Sequence, residues 1–137
     1  MSRDICLCMN LRSAAQQLTR TYDAALAPAG ITANQFSLMN LIRTADQPTV
    51  KDLAESSDLD RSTLARNLRV LEKHSLIVMQ VGSDARTRVM ELTRTGRATL
   101  RRATPLWQAV QDDMVGKLGQ QKRKELQGLL SEITEEI

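Results

Sequence analysis

Asp60-Arg61-Ser62-Thr63-Leu64-Ala65-Arg66-Asn67-Leu68-Arg69-Val70-Leu71-Glu72-Lys73-His74 is the stretch on which the fold turns. Asp60 is a strong N-cap residue, and the apolar positions after it repeat with helical spacing. On a wheel with Leu64 at zero, Leu68 falls at about 40° and Leu71 at about 340°, so these three leucines define a core face. Ser62, Arg66, Arg69 and Lys73 fall between about 140° and about 200°, opposite that face, and Thr63 lies at about 260°. The outward face therefore carries three cations and two hydroxyls and no acid. Such a face suits a helix lying in the major groove of DNA, where Arg meets the guanine edge and Ser or Thr reaches bases and phosphates. Ser62, Thr63 and Arg66 are the candidate base readers, with Asn67 at the groove edge and Arg69 and Lys73 on phosphates.

Upstream, Val50–Ser56 reads as a short helix with Val50, Leu53 and Ala54 inward, and Ser57-Asp58-Leu59 as its turn. Two short helices joined by such a turn form a helix-turn-helix. Downstream of Ser75 the period changes. Leu76–Val81 is rich in β-branched residues and Val89–Leu92 alternates, with the polar run Gly82–Arg88 between them. This predicts a β-hairpin, a wing, with Asp84, Arg86 and Arg88 at its tip. An arginine there can enter the minor groove, and Asp84 is expected to brace the Arg86 guanidinium in a charge-assisted pair.

Further outward the chain is helical. Residues 4–27 carry Leu11, Ala14, Leu18, Tyr22 and Leu26 on one face, and Pro28 and Gly30 end that helix. Thr32 caps a second helix to about Thr44, with Phe36, Met39 and Ile42 inward, and Asp46-Gln47-Pro48 is a turn. Thr93 to about Lys117 is a long helix in which Pro105 predicts a kink. The last helix, about Gln120 to Glu136, aligns Leu126, Leu129, Leu130, Ile133 and Ile137. These outer faces exceed what one small lobe can cover, so the terminal helices are expected to pack against a second copy of the chain. The expected fold is mainly α with a small β-hairpin wing. It is a single winged helix-turn-helix domain, with a DNA-binding lobe at 31–93 and dimerisation helices at 1–30 and 94–137.

Composition agrees. With 137 residues the chain is one domain. Aromatic residues are only 2%, which disfavours an all-β sandwich or barrel. No apolar run approaches the ~20 residues that span a bilayer, and the first residues do not resemble a secretory signal, so a cytoplasmic protein without membrane contact is expected. Six arginines and a single acid lie between Arg86 and Arg102, whereas Glu125–Ile137 holds four acids and no base. A basic middle with an acidic tail fits a polyanion bound through one face.

Several of these stretches together resemble the MarR family of transcriptional regulators. The matching segments are Asp60–Leu68, Leu71-Glu72-Lys73, Leu76-Ile77, Asp84-Ala85-Arg86 and Leu92-Thr93-Arg94-Thr95-Gly96. Thr49–Ala54 is similar to the family's first helix-turn-helix element, and Gly30-Ile31-Thr32 with Gln35-Phe36 to the start of its second helix. The resemblance implies a homodimer that binds a pseudo-palindromic double-stranded DNA operator, usually as a repressor, and releases it when a ligand or oxidant arrives. Ser75 stands where the family often carries Gly.

Two sensors are candidates. Cys6 and Cys8 lie near the start of the first helix, where unpaired N–H groups favour thiolate and hence oxidation. Some MarR-like regulators, notably organic-peroxide sensors, use a cysteine near the N-terminus, although Phe36 stands where those sensors carry a tyrosine. The resemblance also implies a cleft for a small-molecule effector, with Leu11, Tyr22, Phe36, Met39 and Trp107 as candidate walls. No cofactor or metal is expected: the single histidine, His74, has no catalytic partners, and no Gly-rich phosphate loop or zinc spacing is present. The alternative to a specific regulator is a thiol-independent winged-helix module that binds a protein partner or nucleic acid nonspecifically.

Overall fold

Helix α1 (Leu7–Leu26) leads through a single 3-10 turn (Ala27–Ala29) into α2 (Ala33–Thr44), α3 (Val50–Ser56) and α4 (Arg61–Lys73). Strands β1 (Ile77–Val81) and β2 (Arg88–Leu92) then form an antiparallel hairpin, and α5 (Arg94–Leu118) and α6 (Gln120–Glu135) complete the chain. This is a computed structural model, and residues 6–135 are described. The expected helical start at residue 4 and the apolar Ile137 lie outside them. The fold is mostly helical with a two-stranded wing, as the sequence predicts.

Four of the helix starts have a side-chain cap. Thr32 and Thr49 form capping boxes with Gln35 and Asp52, and Asp60 and Thr93 accept from the backbone N–H groups of Thr63 and Gly96. Each such cap is worth about 1 kcal/mol. Helix α5 is a single element that contains Pro105, which is exposed.

Most of the core comes from the middle of the chain, with Leu26, Ala29, Leu100 and Ala103 added from α1, the 3-10 turn and α5. Met39, Leu53, Leu64, Leu68, Leu71, Ile77 and Met90 are almost wholly inaccessible, so α2, α3, α4 and the hairpin close around one apolar cluster. The α4 leucines are the three that the wheel assigns inward. Val50 and Ala54 are only partly buried and pack on the cluster from α3.

Three joints fix the wing against this core. The first follows α4: Leu76 N–H donates to the Leu71 carbonyl and Ser75 N–H to the Glu72 carbonyl, a Schellman pair. Ser75 itself has φ 61°, the left-handed conformation that Gly adopts without cost. The second joint is Thr93, which donates its hydroxyl to the Ser75 carbonyl and accepts from Gly96 N–H, tying the α4 exit to the α5 start. Gly96 lies so close to Leu76 that an added Cβ would stand 2.1 Å from the Leu76 carbonyl oxygen. The third joint lies across the sheet. Asp46 and Gln47 make a left-handed turn (φ 49° and 53°) that delivers the Pro48 carbonyl to Met90 N–H, and Thr49 bridges to Val89. The chain before α3 thus acts as a third partner to the wing, which sequence reading took only as a turn.

The outer helices are different. Within the described residues of α6 no side chain is buried, and Leu126, Leu129 and Leu130 lie exposed together with Leu118 of α5 and Leu7, Met9 and Leu18 of α1.

Candidate nucleic-acid interface

The interface is built on the first turn of α4. Asp60 Oδ1 accepts from Thr63 N–H (2.8 Å) and from Ser62 Oγ (2.8 Å), and Oδ2 accepts from Thr63 Oγ1 (3.2 Å). Arg66 Nη2 in turn donates to Thr63 Oγ1 (3.3 Å). The backbone N–H of Thr63, then the hydroxyls of Ser62 and Thr63, hold the Asp60 carboxyl below its ordinary range, so it is ionised near neutrality. Sequence reading found Asp60 as a cap but missed that it gathers both candidate hydroxyls; a carboxylate two and three residues before two hydroxyls was the available signal.

Ser62, Arg66, Arg69 and Lys73 are exposed on the side away from the leucines. Among the described residues the sole ion pair is Lys117 with Asp113, so no described acid neutralises these exposed α4 cations. Asn67 is half-buried and lines a crevice with Thr32, Asn34, Gln35, Leu38 and Val70, which turns it toward α2.

The wing departs from expectation twice. Asp84 does not brace the Arg86 guanidinium. Its Oδ1 accepts from the Arg86 backbone N–H (3.0 Å), while its carbonyl accepts from the Thr87 N–H and hydroxyl. A short carboxylate reaches the N–H two residues on without ordering a long side chain, so the local turn wins. The loop is stiffened and the Arg86 side chain is left extended to solvent from its tip. Arg88 is not at the tip either: it is the first residue of β2, paired with Val81.

The sensor candidates separate. Cys6 and Cys8 are both free and exposed. Cys6 is the N-cap of α1, with ψ 128°, and the backbone N–H groups of Met9 and then Cys8 lower its pKa. The five supposed pocket walls are not brought together. Met39 is wholly inside the core, while Leu11 and Tyr22 are half-buried, and the Tyr22 hydroxyl donates to Gln111 Oε1 of α5. Only Phe36 and Trp107, stacked at 5.8 Å, border an open depression of about 410 Å³, with Asn40, Arg43 and Thr44 on its rim.

A cationic helix behind a helix-turn-helix, followed by an arginine-tipped wing, defines a DNA-binding regulator of the winged-helix class. The sequence model of the MarR family matches residues 31–86, from the start of that lobe to the tip of the wing. An HTH-type transcriptional regulator of Bacillus cereus is 32% identical over 104 residues, covering 75% of this chain and 69% of the relative. The crystal structure of the M. tuberculosis transcriptional regulator MosR in complex with DNA superposes with a TM-score of 0.81 at 38% identity, covering 91% of this chain and 93% of that one. An E. coli MarR variant complexed with operator DNA gives a TM-score of 0.86 at 25% identity over 93% and 92% of the two chains. The chain belongs to the MarR family: it is a DNA-binding transcriptional regulator and not an enzyme. Among the described residues no helix is long and apolar enough to cross a membrane.

Proposed function

We propose that two copies of the chain join through α1, α5 and α6 and read a pseudo-palindromic operator. Each α4 enters a major groove and each wing places Arg86 in the adjoining minor groove. Ser62, Thr63, Arg66, Arg69 and Lys73 contact DNA from α4, with Asn67 at the edge and Arg88 along the wing strand, while Asp84 shapes the loop. The observation that carries this reading is the unpaired cationic face of α4. The unburied leucines of α6 support the dimer, because an apolar stripe of this kind on a short helix is stable only when covered.

The regulator acts as a repressor and is released by a signal. A small ligand between the lobe and the outer helices is one route, with the Phe36–Trp107 depression as its remaining wall. The exposure of both thiols and the lowered Cys6 pKa favour oxidation. Peroxide converts the Cys6 thiolate to a sulfenic acid, and a second thiol condenses with it to a disulfide, releasing water. Cys6 already stands outside the helix, so a bond to Cys8 costs only the first turn of α1.

Footprinting of the purified protein on genomic DNA tests the reading. Wild type protects symmetric sites and loses them in peroxide. Arg86→Ala weakens protection at least ~10-fold at equal salt, the loss of one charged groove contact, without changing particle mass. The Cys6→Ser, Cys8→Ser variant keeps its sites in peroxide. Protection of random sequence overturns specific regulation, and equal release of both proteins by peroxide overturns the thiol route.

A further inference from the structure

Asp60 controls more than the start of α4. An ionised carboxylate has no proton to give, so each hydroxyl that meets it must be the donor. Ser62 Oγ lies 2.8 Å from Oδ1, and Thr63 Oγ1 lies 3.2 Å from Oδ2, so both hydroxyl protons point at Asp60. Thr63 Oγ1 also receives Arg66 Nη2 at 3.3 Å, which occupies its outward side. Ser62 is exposed on the face opposite Leu64 and Leu68, and its oxygen turns only lone pairs outward.

We infer that Asp60 makes Ser62 an acceptor-only reader, so that this position of the recognition helix selects a base bearing an amino group on its major-groove edge. In that groove adenine N6 and cytosine N4 are the donors, whereas guanine O6 and N7 and thymine O4 are acceptors. A free serine would accept or donate and so tolerate either kind. With its proton committed, it favours adenine or cytosine and leaves two acceptors facing each other over guanine or thymine. Asp60 is thus a positioning residue for specificity, and it acts without touching DNA. The same carboxylate, through Thr63, anchors the Arg66 guanidinium, so both readers are tied to Asp60.

This rests on α4 lying in the major groove, and the test separates the two. A library of random half-sites is enriched with wild type, Ser62→Ala and Asp60→Gly. Gly at this position caps a helix nearly as well as Asp and removes the acceptor of both hydroxyls, which frees their protons, whereas Asn would keep its oxygen on Thr63 N–H and Ser62 Oγ and free only the Thr63 proton. The position that becomes degenerate with Ser62→Ala is expected to be adenine or cytosine with wild type. With Asp60→Gly the preference for amino over keto bases at that position falls about 10-fold, one hydrogen bond's worth, while positions other than the one read by Arg66 stay the same. Replacing the selected base by its analogue lacking the amino group weakens wild type by a similar factor and leaves Ser62→Ala unchanged. Ser62 is exposed, so this arm does not depend on how Asp60→Gly folds. A wild-type preference for guanine or thymine there, or no position altered by Ser62→Ala, overturns the inference while a symmetric site still enriches. Failure to enrich any symmetric site with wild type removes α4 readout itself, and the inference with it.

Discussion

The winged lobe and the terminal helices are made from similar numbers of apolar residues and end in opposite conditions. In the lobe, Leu53, Leu64, Leu68, Leu71 and Met90 are closed off by their own chain. On α6, Leu126, Leu129 and Leu130 have 45%, 56% and 40% of their surface in solvent. The lobe is finished as a single chain, while the outer helices present a surface that needs a partner. Function divides the same way. In the function proposed above, groove chemistry belongs to the finished part, where side chains are held in place, and assembly and sensing to the unfinished part, where the covering surface can change.

Glycine substitution breaks the comparison most sharply. Gly96→Ala drives a Cβ to 2.1 Å from the Leu76 carbonyl oxygen, backbone against backbone, so neither side can yield cheaply. We expect a loss of about 3 kcal/mol or more in urea unfolding, as for severe overpacking. Gly116→Ala on α5, whose added Cβ meets nothing within 4 Å, should instead gain about 1 kcal/mol of helix propensity. A neutral Gly96→Ala would mean that the joint between Leu76 and α5 is not close.

Gly96 also marks the limit of what the sequence shows. Helical periods are local, so α2, α3 and α4 and the burial of Leu64, Leu68 and Leu71 are legible residue by residue. The Leu-Thr-x-x-Gly run was visible too, but the carbonyl that excludes a side chain from it lies 20 residues upstream. The same holds for Thr49 and Val89, joined across 40 positions, which no window contains. At the site, charge and facing were legible and hydrogen bonding was not. Asp84 chose a backbone N–H over a guanidinium, and the choice depends on the loop's shape rather than on composition. The candidate pocket walls separate for the same reason: both Met39 and Trp107 fall on inward positions of helical periods, while one is sealed in the core and the other borders solvent.

A charge on the outer helices sharpens the contrast from the other side. Leu126→Glu with Leu129→Glu should weaken association at least ~100-fold, because two carboxylates would enter an apolar contact. Sedimentation would show the mass of wild type halved on dilution into the nanomolar to micromolar range. The lobe should keep its unfolding transition, since no α6 residue belongs to its core. Simultaneous loss of the lobe's transition would show that the two regions are not separable.

The smallest effect concerns Ser75. A residue with a Cβ in the left-handed region costs about 1–2 kcal/mol, and Gly removes that cost while returning about 0.4–1 kcal/mol through the freer unfolded chain. Ser75→Gly should therefore stabilise the lobe by about 0.5–1 kcal/mol, read as a higher urea midpoint at unchanged slope. The Schellman bonds use the backbone of Ser75 and Leu76, and Thr93 bonds the Ser75 carbonyl, so none depends on the serine hydroxyl. Operator affinity should stay unchanged, because the substitution relaxes the hinge without moving it. A loss of stability would mean that the Ser75 hydroxyl supports the joint, and a change in affinity would mean that the left-handed residue sets the angle between α4 and the wing.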